Sequence, residues 1–140
     1  MATLTPTLSL VSTDLSSDEL NFSVTDSLTI KAPAQGISTF IANSGTTDPD
    51  VGANNIIVPP QGTDNVTYFY CRHTGLTGSG TTTTTVPVDV EETGDAGFAR
   101  LGPGEWMYLP FCHNAGNVGI QFQVAAATAV LMEYAFFTKG

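Results

Sequence analysis

Residues 117–124 read NVGIQFQV. Val118, Ile120, Phe122 and Val124 fall on one side of an extended backbone, and Gln121 and Gln123 on the other. That period of two marks a strand with one buried face. A sheet built from such strands must cover its apolar side with a second layer. Downstream, residues 129–138 (AVLMEYAFFT) are apolar on both faces and predict a strand near the middle of a sheet. The run between them, VAAATAVLM at 124–132, has the composition of a helix but is too short to stand as one. It is expected to be two strand ends around a tight turn near residues 126–128.

The same alternation spreads upstream. Residues 66–73 (VTYFYCRH) put Val66, Tyr68 and Tyr70 on one face and Phe69 and Cys71 on the other. Residues 105–111 (EWMYLPF) alternate strongly. Residues 83–90 (TTTVPVDV) align Val86, Val88 and Val90, and Pro87, with no N–H to donate, predicts an edge strand. The first half offers strands at 7–12, 19–24, 27–32, 37–43 and 54–58. Breaker runs separate them, among them 33–36, 44–52, 59–62, 75–80, 94–97, 102–104 and 114–116. About ten short strands punctuated this often predict an all-β fold, a two-sheet antiparallel β-sandwich of jelly-roll type.

A chain of 140 residues has the size of one domain. Residues 19–140 are expected to form it. Residues 1–18 are either its first strand or an arm that orders on a neighbouring subunit. The low-complexity stretch 74–85 (TGLTGSGTTTTT) reads as a flexible hairpin loop or a contact loop.

Charge narrows the function. Four bases (Lys31, Arg72, Arg100, Lys139) stand against 13 acids, for a net charge of −9. Nucleic acid and anionic membranes are gripped by clusters of Lys and Arg, and the chain has none, so neither is an expected partner. Charged residues make up 12% of the chain, about half the usual share. Thr, Ser, Gly and Asn take their place, giving a surface that is polar yet readily desolvated against other proteins. The opening MATLTPTLSL has neither a basic region nor an apolar run, so synthesis in a cytoplasm and a soluble product are expected.

Chemistry-bearing residues are few. Cys71, His73, Cys112 and His113 have the types of a Cys2His2 zinc set. On strands, residues 71 and 73 share a face, while 112 and 113 point oppositely, so a bulge would be needed to gather all four. Two buried cysteines acting as small hydrophobes are the plainer reading, and a Cys71–Cys112 disulfide requires neighbouring strands. Asp89, Glu91, Glu92 and Asp95 offer either a calcium ring or a solvated acidic turn. No Gly-x-Ser-x-Gly elbow occurs, and two histidines are too few for a cupin-like metal enzyme. The sequons at Asn21 and Asn65 carry little weight without a secretory leader. No catalytic residue, metal or cofactor is therefore assigned, and the chain is not expected to be an enzyme. Among the strand aromatics, Trp106 beside a sheet edge is the one suited to stacking on a sugar ring.

Four segments carry a family likeness: residues 1–30 (MATLTPTLSLVSTDLSSDELNFSVTDSLTI), 66–75 (VTYFYCRHTG), 97–111 (GFARLGPGEWMYLPF) and 130–140 (VLMEYAFFTKG). Together they resemble small virion structural proteins of tailed phages, especially those of marine bacteria and cyanobacteria. The resemblance implies a virion component made in the host cytoplasm, without catalytic residues. Its expected partners are the major capsid protein and copies of itself, as a trimer or other small homo-oligomer. A head decoration (cement) protein on the outer capsid lattice fits best. A tail, fibre or appendage protein reading host-surface glycans is the alternative, and a small metal enzyme the third. In this setting residues 102–105 (GPGE) are a tight turn, with Arg100 and Glu105 placed to pair across it.

Overall fold

The computed structural model describes residues 2–14, 19–31, 36–44, 56–57, 66–92, 97–112, 119–125 and 127–140, with backbone alone at 56, 57, 66 and 112. The described residues form strands and no helix: β1 (Ala2–Leu4), β2 (Thr7–Ser12), β3 (Leu20–Thr25), β4 (Leu28–Ile30), β5 (Ser38–Ala42), β6 (Ile56–Ile57), β7 (Val66–Thr77), β8 (Val88–Glu92), β9 (Gly97–Leu101), β10 (Trp106–Cys112), β11 (Ile120–Gln123) and β12 (Val130–Thr138). The strands pair antiparallel throughout. One four-stranded sheet has the order β10-β7-β12-β5, and the other β6-β11-β8-β9. Two further ladders, β1-β4 and β2-β3, come from the first 30 residues.

Alternation decides what each face meets. In β7, Thr67, Phe69, Cys71 and His73 are buried, while Tyr68, Tyr70 and Arg72 face outward. In β11, Ile120 and Phe122 are fully buried. One core takes Phe69, Cys71, Met132 and Phe136 from the first sheet and Val88, Val90, Ile120 and Phe122 from the second. Phe122 bridges the two, with its ring 5.7 Å from Phe40 and 6.4 Å from Phe69. Phe69 in turn stacks on Phe136 at 5.2 Å. Burying each such side chain stabilises the fold by about 2–3 kcal/mol.

Several expectations need correction. Pro87 lies before β8, and β8 sits between β11 and β9, so it is an interior strand. A proline just ahead of a strand forfeits no ladder bond. β9 supplies the extra neighbour; its sequence GFARL is too short and too mixed to advertise a strand. The segment after β11 joins two strand ends, as expected, with β11 ending at Gln123 and β12 starting at Val130, but the two strands belong to different sheets; residue 126 lies outside the described residues.

The Thr-rich stretch forms the expected hairpin, with Leu76 bridging antiparallel to Thr83. Residues 74–77 continue β7, and a turn closes where Thr77 N–H donates to the Thr82 carbonyl at 2.7 Å and Gly80 N–H to the Thr77 carbonyl at 2.8 Å. Hydroxyls of Thr77, Ser79 and Thr81 chain along it at 2.9 and 3.1 Å. Gly78 lets this turn approach β5, since a Cβ there would stand 2.9 Å from Ile41 Cγ2.

Candidate interaction surface

The Cys/His set does not assemble. Register places Met107 opposite Cys71 and Val66 opposite Cys112. The two cysteines are thus five positions apart along paired strands, about 17 Å, beyond the ~7 Å Cα limit of a disulfide. The Cys71 thiol is buried and free, and desolvation pushes it up to about 12. His73 is fully buried with both ring nitrogens engaged. Gly75 N–H donates to Nδ1 at 2.9 Å. Nε2 must then carry the proton, which it donates to the Val86 carbonyl at 2.9 Å. Neither nitrogen is left for a metal. His113 lies outside the described residues, as does the sequon at Asn65, while Asn21 sits on exposed β3.

The acidic ring also dissolves. Asp89 receives Arg100 Nε at 2.6 Å and Nη2 at 3.0 Å. Those hydrogen bonds, with the guanidinium charge, hold its carboxyl below the ordinary range against a smaller opposing effect of burial. Arg100 therefore pairs with Asp89, not Glu105. Glu105 instead accepts Gly102 N–H on Oε2 at 2.6 Å. The 102–105 turn forms as expected, with Glu105 N–H donating to the Gly102 carbonyl at 3.0 Å and Gly104 at φ 83°. A proline followed by a positive-φ glycine is the signature of a type II turn. Asp95 lies outside the described residues, and among the described ones no three His, Cys, Asp or Glu side chains converge.

The first 30 residues build something the residue types did not announce. Ala2 faces Ile30, Leu4 faces Leu28, Thr7 faces Thr25 and Ser12 faces Leu20. Asp26 N–H donates to the Pro6 carbonyl at 3.1 Å between the two ladders. A single register thus runs unslipped from Ala2/Ile30 to Ser12/Leu20, a hairpin on the order of 30 Å long. Its root is fixed. Leu28 and Ile30 are buried, Lys31 N–H donates to the Thr138 carbonyl at 2.9 Å, and Gly140 N–H to the Thr29 carbonyl at 2.8 Å.

The outer half is different. Leu8 pairs with Val24 and Leu10 with Phe22, so all four side chains share one face. Their exposures are 38, 51, 46 and 47%, too high for four large apolar groups in a row to be incidental. The opposite face carries Thr7, Ser9, Asn21, Ser23 and Thr25, with Val11, 68% exposed, near its outer end. Leu8 and Val24 line a groove of about 410 Å³ whose far wall is aromatic: Tyr68, Tyr70, Trp106 and Tyr108 on the outer face of β7 and β10. Tyr68 and Tyr108 stack at 5.5 Å, and Trp106 is 55% exposed. The Tyr108 hydroxyl is buried without a hydrogen-bond partner, and desolvation pushes it up to about 12. An arm and a sheet edge thus offer two apolar walls with a cleft between them. Its residues were legible as strand residues; their pairing with one another was not.

Comparison with known proteins returned no match: no family model, no curated protein and no solved structure corresponds to the chain.

Proposed function

We propose that this chain is a structural protein of a tailed-phage virion, a head decoration protein that binds the outer surface of the major capsid lattice. The observation that carries it is the arm. A protein that keeps Leu8, Leu10, Phe22 and Val24 in one exposed row has a surface made for another protein. The resemblance of residues 1–30, 66–75, 97–111 and 130–140 to virion proteins supplies the setting. Small symmetric homo-oligomers, such as trimers, repeat such an arm and multiply weak contacts into firm attachment.

The body is read as a jelly-roll sandwich. Support comes from strand order: β5, β12, β7 and β10 share one sheet, and β6, β11, β8 and β9 the other. From β5 to β12 the chain therefore crosses between the sheets at every step except the β8–β9 hairpin, which stays in one sheet, a wrapping compatible with Greek-key connections.

The test is capsid occupancy. Deleting residues 2–14 removes β1 and β2 and uncovers Leu28 and Ile30, so substitution is cleaner. Leu8→Thr, Leu10→Thr, Phe22→Thr and Val24→Thr together keep β-propensity and alter exposed positions alone. Full-length protein carrying them keeps its circular dichroism but loses its place on capsids; undiminished occupancy refutes the proposal. A second reading rests on Trp106, whose exposed ring beside Tyr68 and Tyr108 suits a sugar face. Glycan-array binding abolished by Trp106→Ala would favour an appendage protein.

A further inference from the structure

The cleft between arm and sheet also states what kind of surface fills it. From the distribution of charge we infer that the occupant is a different protein whose apolar ridge is flanked by Lys or Arg, and not a second copy of this chain. This rests on the reading of the arm as a docking element and names the chemistry of its partner.

Residues 2–30 hold four acids, Asp14, Asp18, Glu19 and Asp26, and no base. Asp14 and Glu19 are exposed beyond the ends of β2 and β3, and Asp26 is exposed beside Pro6 at the groove. The apolar row Leu8, Leu10, Phe22 and Val24 thus lies between acids at both ends. An interface with that layout is complemented by an apolar centre with a basic rim.

Little of that rim is available within this chain. It has four bases. Arg72 lies 3.8 Å from Glu133 and Arg100 2.6 Å from Asp89, so both face acids of their own sheets. Lys31 and Lys139 flank the hairpin root, where Ile30 bridges to Lys139, at the end opposite Asp14 and Glu19. The capsid reading fits as a special case, with the basic rim on the major capsid protein.

Two measurements on the full chain decide it. The first is binding to capsids lacking this protein, at about 0.05 M and about 0.5 M NaCl, for the wild type and for Asp14→Asn/Glu19→Gln/Asp26→Asn. Steering by opposite charges predicts that high salt, and the triple variant at low salt, each weaken binding about tenfold. Salt-independent binding unaffected by the triple variant overturns the inference while leaving the capsid reading intact. The second is retention on a phenyl-amine matrix against a phenyl matrix without charge. Both the triple variant and the four-threonine variant should elute early from the former. Equal retention of all three proteins overturns the inference. Arm-dependent retention with no capsid binding supports the inference and overturns the capsid reading. Sedimentation showing a wild-type oligomer that the four-threonine variant dissolves assigns the cleft to a second copy, which also overturns it.

Discussion

Replacing His73 by Leu tests whether the one described histidine is a structural fastener. His73 joins three pieces of chain. Its ring accepts from Gly75 N–H and donates to the Val86 carbonyl, both at 2.9 Å. Its backbone N–H donates to the Glu105 carbonyl at 2.9 Å, and its carbonyl receives Gly104 N–H at 3.0 Å. Leucine keeps the backbone bonds and most of the volume but removes both ring contacts. Each buried group left unpaired costs about 1–3 kcal/mol. Gly75 and Val86 are half-buried, so the lower half of that range applies to each. Leucine recovers about 1 kcal/mol by burying more apolar surface, leaving a net loss of about 2 kcal/mol. At this chain length that lowers Tm by about 8 °C. Guanidinium unfolding should show the loss as a lower midpoint at unchanged m-value. His73→Asn, which keeps an acceptor near Nδ1, and His73→Gln, which keeps a donor near Nε2, should each lose about half as much. A leucine variant within about 0.5 kcal/mol of wild type, or a wild-type Tm that drops on adding chelator, refutes the assignment.

Three further outcomes follow from the same structure. Phe122→Ala removes the ring that meets both Phe40 and Phe69 and should cost about 3–5 kcal/mol, read by denaturant unfolding. Cys71, buried with its thiol pushed up to about 12, should resist iodoacetamide at pH 8 in the folded protein and react once unfolded; peptide mass mapping reports which. Asp89 is held below the ordinary carboxylate range by Arg100, so its contribution is present above an unfolded value near ~4 and is lost as pH falls through the folded one. The stability gap between wild type and Asp89→Asn should therefore be measurable at pH 7 and close below about pH 4. It stays small because Arg100 is exposed.

Legibility in the sequence followed how much of a strand's fate is local. NVGIQFQV and VTYFYCRH announced themselves because alternation alone fixes which side chains are buried, and the structure buries Phe122 and Phe69 as that pattern requires. Strand β2 was read to its residue limits at 7–12. β9 escaped because GFARL is held by register against β8, including a slip between Val90 and Glu91, which no local rule encodes. Pro87 misled because its missing N–H signals an edge only when the residue lies within the ladder. The Cys/His set looked like ligands by type and proximity in sequence. Register then put five positions between the cysteines, and backbone groups took both nitrogens of His73. The arm was half legible: both strands were visible, but not that they pair with each other and leave one apolar face open.

That open face has an energetic consequence. A two-stranded hairpin in water is marginal by itself, because nothing covers either face. Here the root is secured by the burial of Leu28 and Ile30 and by the bonds to Thr138 and Thr29, while β2 and β3 pair with each other alone among the strands. The unslipped register lets the root template the outer half: once Ala2 faces Ile30, each next pair closes a loop already short. The arm is thereby aimed without being covered. Much of the entropy of ordering it is met by the root, so a partner that covers Leu8, Leu10, Phe22 and Val24 gains their desolvation with little ordering left to offset. On the proposed reading, a surface organised this way suits attachment by a prong whose apolar face and acidic margins select the partner.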